Sequence, residues 1–465
     1  MDYLHMVPAE LWHACWSFSD PQMLCAISLT CKIFCDIAQL LLFRDLEVVV
    51  PHGGPSTASM APFRDLLSHP RLPLLARSFR FDWQSRISAT REHTMASVQY
   101  QLVIESLTLF QNLILLHIDS VIGDDTLAGH LRRAIDSLPR LRKLEIVNCT
   151  LNNGDILSLD QCNITMDRYL QPSAIFEGMN LVDASTISEL ALRGDQFNAQ
   201  DIIQSLLEQL PTLPRLLVLK LDLSRRLSGP LISGLLKRTP YVRKLCLRCL
   251  PRVNLPEFFA VLLEKRAPVD WPRYNQNIAL EPVDLIDLRD LRCPAELATS
   301  ILPGRPIQSL TIYQPLLPQP SSATHTVNIP FAVSILHLPA MRCQTLHSFR
   351  IKQSLSFPQF SETLEAAQLA FPQLQHLRLA LDAGVSAESL LERVLAHEFL
   401  LPRQLRTLRI SLPGLRATPS ERHPDFVKQI AVDLARQQGS GALSFVALEG
   451  SGIQLNYSLR KGEAE

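Results

Sequence analysis

Neither sign of charge prevails in this sequence: 45 Lys and Arg face 45 Asp and Glu along 465 residues. A neutral chain exerts no whole-molecule pull on nucleic acid or an anionic membrane, so electrostatic recognition has to come from local arrangement. Long apolar runs are missing too. No stretch reaches the roughly 18 uninterrupted apolar residues of a membrane span, and the opening MDYLHMVPAELW lacks the basic and then apolar regions of a secretory leader. These gaps lead to the expectation of a cytoplasmic or nuclear protein, or both, with no membrane and no nucleic acid among its partners.

Signatures of chemistry are equally scarce. The chain has no G-x-S-x-G elbow, no phosphate-binding P-loop and no dinucleotide glycine fingerprint. Cys246-Leu-Arg-Cys249 is a lone C-x-x-C without a second pair at zinc-like spacing. His397-Glu398 lacks a second histidine four residues after the first, and His13 and Cys15 point apart if they share a helix. Gly123-Asp124-Asp125-Thr126 reads as the cap of a following helix. The expectation is a protein that is not an enzyme and takes neither cofactor nor metal. The ten cysteines sit among apolar neighbours, as in Leu24-Cys25-Ala26, where a thiol serves as a small hydrophobe; this favours a reducing compartment. Glycosylation-type triplets at Asn148, Asn163 and Asn456 carry no weight without a secretory signal.

What the chain does have is apolar content, 47% of its residues, cut by 32 prolines into many short elements. The first fifty residues predict three short helices. Val7-Pro8-Ala9-Glu10-Leu11 puts a proline where a helix begins, with Trp12, Cys15 and Trp16 continuing at helical spacing to a stop near Ser19. Asp20-Pro21 supplies an N-cap and an N1 proline for a second helix carrying Leu24 and Ile27. Thr30-Cys31-Lys32 leads into a third with Phe34, Ile37, Ala38 and Leu41. About 40 residues in three amphipathic helices are too few to close a stable core alone, so some of their apolar surface should be covered by a partner or by the rest of the chain.

Val-Pro-Ala-Glu-Leu-Trp, Asp-Pro-Gln-Met-Leu, Ile-Ser-Leu-Thr-Cys-Lys-Ile-Phe and Leu-Leu-Phe-Arg-Asp-Leu, in that order over residues 7–46, resemble an F-box of the fungal type. Ser19, where a leucine is usual, and Met23, where an acid often stands, depart from the pattern. The resemblance implies binding to a Skp-type adaptor that bridges to cullin and RING subunits, with contacts at Val7, Pro8, Leu11, Cys15, Leu24, Ile27, Cys31 and Phe34. The other reading of the same residues is a helical cap on a ligase-independent scaffold.

Pro51-His-Gly-Gly-Pro-Ser-Thr-Ala-Ser59 is turn-rich and marks a linker, assigned to 51–74. Beyond it a unit recurs, aliphatic, two variable, aliphatic, one variable, aliphatic. It is degenerate at Ala76, Phe79, Phe81 and clear at Leu113, Leu116, Ile118, at Leu141, Leu144, Ile146 and at Ile187, Leu190, Leu192. Further copies begin at Leu216, Val242, Val283, Ile307, Leu346, Leu374, Leu405 and Leu443, the Val283 copy continuing through Ile286 and Leu288. Alternation within each unit predicts a short half-buried strand, and helical runs such as Asp201–Leu210 and Glu388–Leu395 return the chain to the same edge. LRKLEIVNCTL, Leu141–Leu151, resembles a cysteine-type leucine-rich repeat. The expected fold is an α/β solenoid over residues 75–455: a curved stack of parallel strands with outer helices, following an F-box at 1–50 and ending in a tail at 456–465. Long insertions are expected at Asn152–Ala184, Ala267–Pro282 and the Pro-rich Gln314–Asn328.

In such a stack the variable residues beside the core leucines line up on the concave face. In the middle and later units they read Lys220, Lys244, Arg248, Arg289, Arg350, Lys352, His376, Arg378 and Arg409, against only Asp222 and Asp287. Early units mix Arg80, Asp82, Asp119, Lys143, Glu145 and Glu189. A basic strip suits an acidic or phosphorylated segment of a target protein, because guanidinium groups pair with phosphate bidentately. No stacking aromatics accompany it to argue for single-stranded nucleic acid.

Overall fold

The computed structural model describes residues 7–50, 60–83, 93–119, 125–149, 151–152, 154–166, 181–194, 199–223, 229–249, 278, 280–313, 335–396, 399–413, 415, 423–438, 442–450 and 453–459. The chain divides into two units, Met1–Pro211 and Thr212–Glu465. Both are α/β, built from short strands and intervening helices.

Three helices open the first unit, α1 (Ala9–Trp16), α2 (Pro21–Ser28) and α3 (Lys32–Leu42). The Asp20 cap forms as expected, its carboxylate accepting the Met23 N–H at 2.7 Å with Pro21 in the first turn. Helix α1 ends at Trp16, short of the expected stop near Ser19. The three helices share a core: Trp16, Leu24 and Ile37 are buried, and Trp12, Ile27, Ile33, Phe34, Leu41 and Leu42 pack around them. The rings of Trp12, Trp16 and Phe34 lie 5.3, 5.2 and 4.7 Å apart, spacings at which aromatic pairs add about 0.5–1.5 kcal/mol beyond their burial.

Strand pairing begins earlier than the sequence suggests. Strand β1 (Asp45–Val50), inside the 1–50 stretch read as helical, pairs parallel with β2 (Ser78–Trp83). The stretch read as a linker, 51–74, contains helix α4 (Ala61–Ser68), whose Phe63 and Leu66 are buried, Phe63 lying 5.8 Å from the ring of Phe79; residues 51–59 lie outside the described ones. Strands β3 (Leu115–Asp119), β4 (Lys143–Val147), β5 (Gln161–Thr165) and β6 (Glu189–Arg193) each pair parallel with the strand before. Helices α5 (His93–Leu107), α6 (Asp125–Asp136) and α7 (Ala199–Gln209) belong to the same unit, α7 where the Asp201–Leu210 pattern puts it.

Strand β5 corrects the expected insertion at Asn152–Ala184. Leu159, Cys162 and Ile164 are all buried and complete a repeat in which a cysteine holds an aliphatic position. Residues 167–180 of that stretch, Gly123-Asp124 of the expected cap, His397-Glu398, and most of the insertions at Ala267–Pro282 and Gln314–Asn328 lie outside the described residues.

In the second unit, strands β7 (Val218–Leu223), β8 (Lys244–Cys249), β9 (Asp290–Pro294), β10 (Ser309–Tyr313), β11 (Ser348–Leu355), β12 (His376–Leu381), β13 (Thr407–Ser411) and β14 (Phe445–Glu449) pair successively and in parallel. Strand β15 (Gln454–Ser458) closes the run antiparallel to β14, reaching into the expected tail. Between them stand α8 (Gly229–Lys237), α9 (Ala295–Ile301), α10 (Phe357–Ala370), α11 (Ala387–Leu395) and α12 (His423–Gln438). Ser356 and Gln359 start α10 with a reciprocal capping box. A parallel pair needs such a crossover, which is why helices alternate with strands here. Each fully buried Leu or Ile in the stack contributes about 1.5–3 kcal/mol, and no single repeat can bury its own.

The copy read at Val283, Ile286, Leu288 is out of register. Val283 and Ile286 are 67% and 47% exposed, and the buried trio is Leu288, just ahead of β9, with Leu291 and Cys293 on it. Arg305 explains the difference. Its guanidinium, buried beside α9, donates to the carbonyls of Glu281 at 2.6 Å, Asp284 at 2.8 Å and Ile301 at 2.6 Å, holding 281–285 as a turn, with Leu285 at a φ of 57°. A segment tied by its carbonyls to an arginine cannot also give them to a neighbouring strand.

Candidate binding surface

On strands β7 to β14 the alternating apolar residues, from Leu219 and Leu221 to Val446 and Leu448, are at most 2% exposed. Residues between them point to the opposite face, and the parallel register stacks them. The central column runs Lys220, Cys246, Arg292, Thr311, Arg350, Arg378, Arg409, Ala447. Lys220, Arg350, Arg378 and Arg409 thus stand where the sequence puts them, while Lys244, Arg248, Lys352 and His376 flank the column on their own strands. Cys246 is buried within the column rather than behind it.

Arg289 does not join the strip. Following the register error above, it precedes β9, exposed, and its carbonyl accepts the N–H groups of Gln308 and Ser309 at 2.9 Å. Arg292 takes the central position instead, and it was missed because Cys293 hides the repeat. Asp287 likewise falls away; the acids beside the strip are Asp222, Asp290 and Glu449.

Those acids neutralise some cations and leave others. Asp222 accepts from Arg248 at 3.2 Å, and Asp290 from Arg292 at 3.3 and 3.1 Å, with Lys244 Nζ 3.7 Å away. Glu449 reaches both Arg378 and Arg409, the latter at 3.5 Å. Arg350 makes no hydrogen bond or ion pair with any described residue. Lys352 sets its ammonium 4.8 Å above the ring of Tyr313, a cation–π contact worth about 0.5–1 kcal/mol at an exposed site. Both are pushed toward the neutral form. Burial is the larger cause, followed by the facing positive charge, Arg378 for Arg350 and Arg350 itself for Lys352. His376 is lowered by burial and then by Arg406 and Arg409. Burial and nearby Cys246 push the Tyr313 phenol up to about 12, so it remains a hydrogen-bond donor.

In the corresponding column of the first unit cations face acids across the strands. Arg80 pairs with Glu47 at 3.4 Å, and Glu145 accepts from His117 at 3.0 Å and from Asn163 at 3.1 Å. The His117 hydrogen bond holds the Glu145 carboxyl below its usual range against the opposing effect of burial.

No family model matches this chain, and no curated protein does.

Of the N-terminal contact set, Val7, Pro8, Leu11 and Cys15 are exposed, and Ile27, Cys31 and Phe34 are half-buried. Leu24 is a correction: at 5% exposure it belongs to the core of the three helices and cannot be reached by a partner. Exposed apolar residues in this three-helix stretch outside the expected set include Phe18 at 93%, Leu29 at 87% and Met23 at 52%. Phe18 and Leu29 lie just past the ends of α1 and α2, where helical spacing does not reach, and an exposed helical residue such as Met23 has the same hydropathy as a buried one. Among the described residues no group of three His, Cys, Asp or Glu side chains is placed to hold a metal ion, and no helix is long and apolar enough to cross a membrane.

Proposed function

We propose that this protein is a two-ended adaptor of a Skp, cullin and F-box type ubiquitin ligase. The N-terminal helices dock a Skp-type adaptor, which brings the cullin and RING subunits, and a leucine-rich-repeat-like solenoid holds the target protein within reach of the ubiquitin-charged conjugating enzyme. Proximity then supplies the selectivity, and the chain needs no chemistry of its own.

The observation that carries this reading is the division of the N-terminal helices into a filled core and an apolar surface. Trp16, Leu24 and Ile37 are buried, yet Leu11, Phe18, Met23 and Leu29 are more than half exposed. Such surface disfavours solution by about 25 cal/mol per Å² and marks an interaction site when it clusters. Leu11 and Cys15, spaced by four, lie along one side of α1, and Val7 is exposed just ahead of it.

Co-expression of the full chain with a Skp-type adaptor and its cullin tests the proposal. Leu11→Asp combined with Leu29→Asp is expected to abolish co-purification and leave the thermal unfolding of the strand stack unchanged. Co-purification that survives the double substitution refutes the assignment.

A further inference from the structure

We infer that the face of the second unit around Arg350 and Lys352 is a phosphate-recognition site that takes a phosphorylated segment of the target in extended conformation. The inference deepens the adaptor reading by giving the target's chemistry, and it rests on that reading for its biological use.

The argument begins with a cost. Arg350 lies directly opposite Arg378 in the register of β11 and β12, and Arg409 follows on β13. Like charges facing across paired strands destabilise a sheet, and a fold needing only solubility would alternate signs, as the first unit does with Glu47, Arg80, His117 and Glu145. Glu449 answers two of the three guanidinium groups and Arg350 is left without a partner among the described residues.

Local geometry fits a phosphoryl group. Thr311 stands between Arg292 and Arg350 in the column, so a short side chain separates two guanidinium-bearing residues, of which Arg292 is held by Asp290. Lys352 and the Tyr313 ring form one flank, so an anion beside Arg350 meets a guanidinium and an ammonium together. A phosphoserine, with three acceptor oxygens and nearly two charges, uses both; a lone carboxylate has two oxygens and one charge.

Size and composition argue for a peptide. From Arg292 to Arg409 the column crosses four strand-to-strand steps, roughly 19 Å at about 4.8 Å each, the length of about six extended residues. Tyr313 and Phe445 already lie under Lys352 and Arg409, so neither ring is open to stack on a base.

The test uses the full chain and three fluorescent pools of degenerate nonapeptides that differ only in the central residue, phosphoserine, serine or glutamate. The phosphoserine pool is expected to bind at least tenfold more tightly than the serine pool. Arg350→Gln and, separately, Lys352→Gln are each expected to remove most of that preference, while Arg350→Gln leaves the melting temperature unchanged or higher. Equal binding of the phosphoserine and serine pools, or an unaltered preference in Arg350→Gln, overturns the inference. A glutamate pool that matches phosphoserine makes the site acidic-peptide specific and also overturns it, as does a single-stranded oligonucleotide that displaces the peptides and depends equally on Arg350. The adaptor pull-down on the same variants separates the two claims: lost phosphoserine preference with intact adaptor binding removes this inference alone, and the reverse removes only the ligase assignment.

Discussion

Leu11 and Leu24 are thirteen positions apart, chemically identical, and both expected from the sequence to face an adaptor, yet the structure puts them in opposite environments. Leu24 is 5% exposed within the core of the three helices, whereas Leu11 is 57% exposed. Truncating a buried leucine costs about 2–5 kcal/mol, and truncating an exposed one changes stability by roughly 0.5 kcal/mol at most. At 1.4 kcal/mol per factor of ten, Leu24→Ala is expected to speed amide hydrogen exchange in α2 and α3 by about 30-fold to several-thousand-fold, up to full loss of protection, and Leu11→Ala by about twofold or less. Native-state exchange followed by mass spectrometry reads both on the intact chain. Adaptor binding is expected to fall in each variant, through unfolding for Leu24 and with the helices intact for Leu11. Equal exchange in the two variants, or adaptor binding undiminished by Leu11→Ala, refutes the distinction between core and docking surface.

Three further predictions concern charge. Glu449→Gln releases Arg378 and Arg409 from their shared acid, so affinity for the phosphoserine pool should rise about two- to fivefold, the scale of a surface ion pair; unchanged or weaker binding in the same anisotropy measurement counts against the strip. Arg305→Lys replaces a planar group that holds several carbonyls with a single ammonium. A loss of about 3 kcal/mol, or roughly 6–12 °C in melting temperature, is expected, and a shift below about 2 °C would contradict the account of the 281–285 turn. The Glu145 carboxyl, hydrogen-bonded by His117, titrates below its usual range when folded. Its stabilising contribution is therefore present above the ordinary glutamate range and is lost as pH falls through the lower folded value. Glu145→Gln should flatten the acid side of the stability profile and leave the neutral side nearly parallel, as denaturant titrations across pH will show.

Local signals carried much of the architecture. The Asp20-Pro21 cap, the alternation that made strands and the helical runs at 201–210 and 388–395 are short-range patterns, and the structure has elements at each. Two repeats escaped for one shared reason: Cys162 and Cys293 occupy aliphatic positions, and a pattern that admits only branched aliphatics there skips β5 and misplaces β9. Admitting cysteine as the small hydrophobe it is would have recovered Leu159-x-x-Cys162-x-Ile164 and Leu288-x-x-Leu291-x-Cys293, and with the latter Arg292.

By itself the sequence determined that strands and helices would alternate and which side of each strand would be greasy, because period-two alternation and capping act over a few residues. Tertiary structure decided the rest. Overlapping leucines from Leu285 to Leu291 allow more than one register, and only the distant Arg305, tied to the carbonyls of 281 and 284, selects one. Which cations remain without an acid was likewise invisible in the chain, since Glu449 meets Arg378 from 71 residues away and only the stacking of strands brings them together.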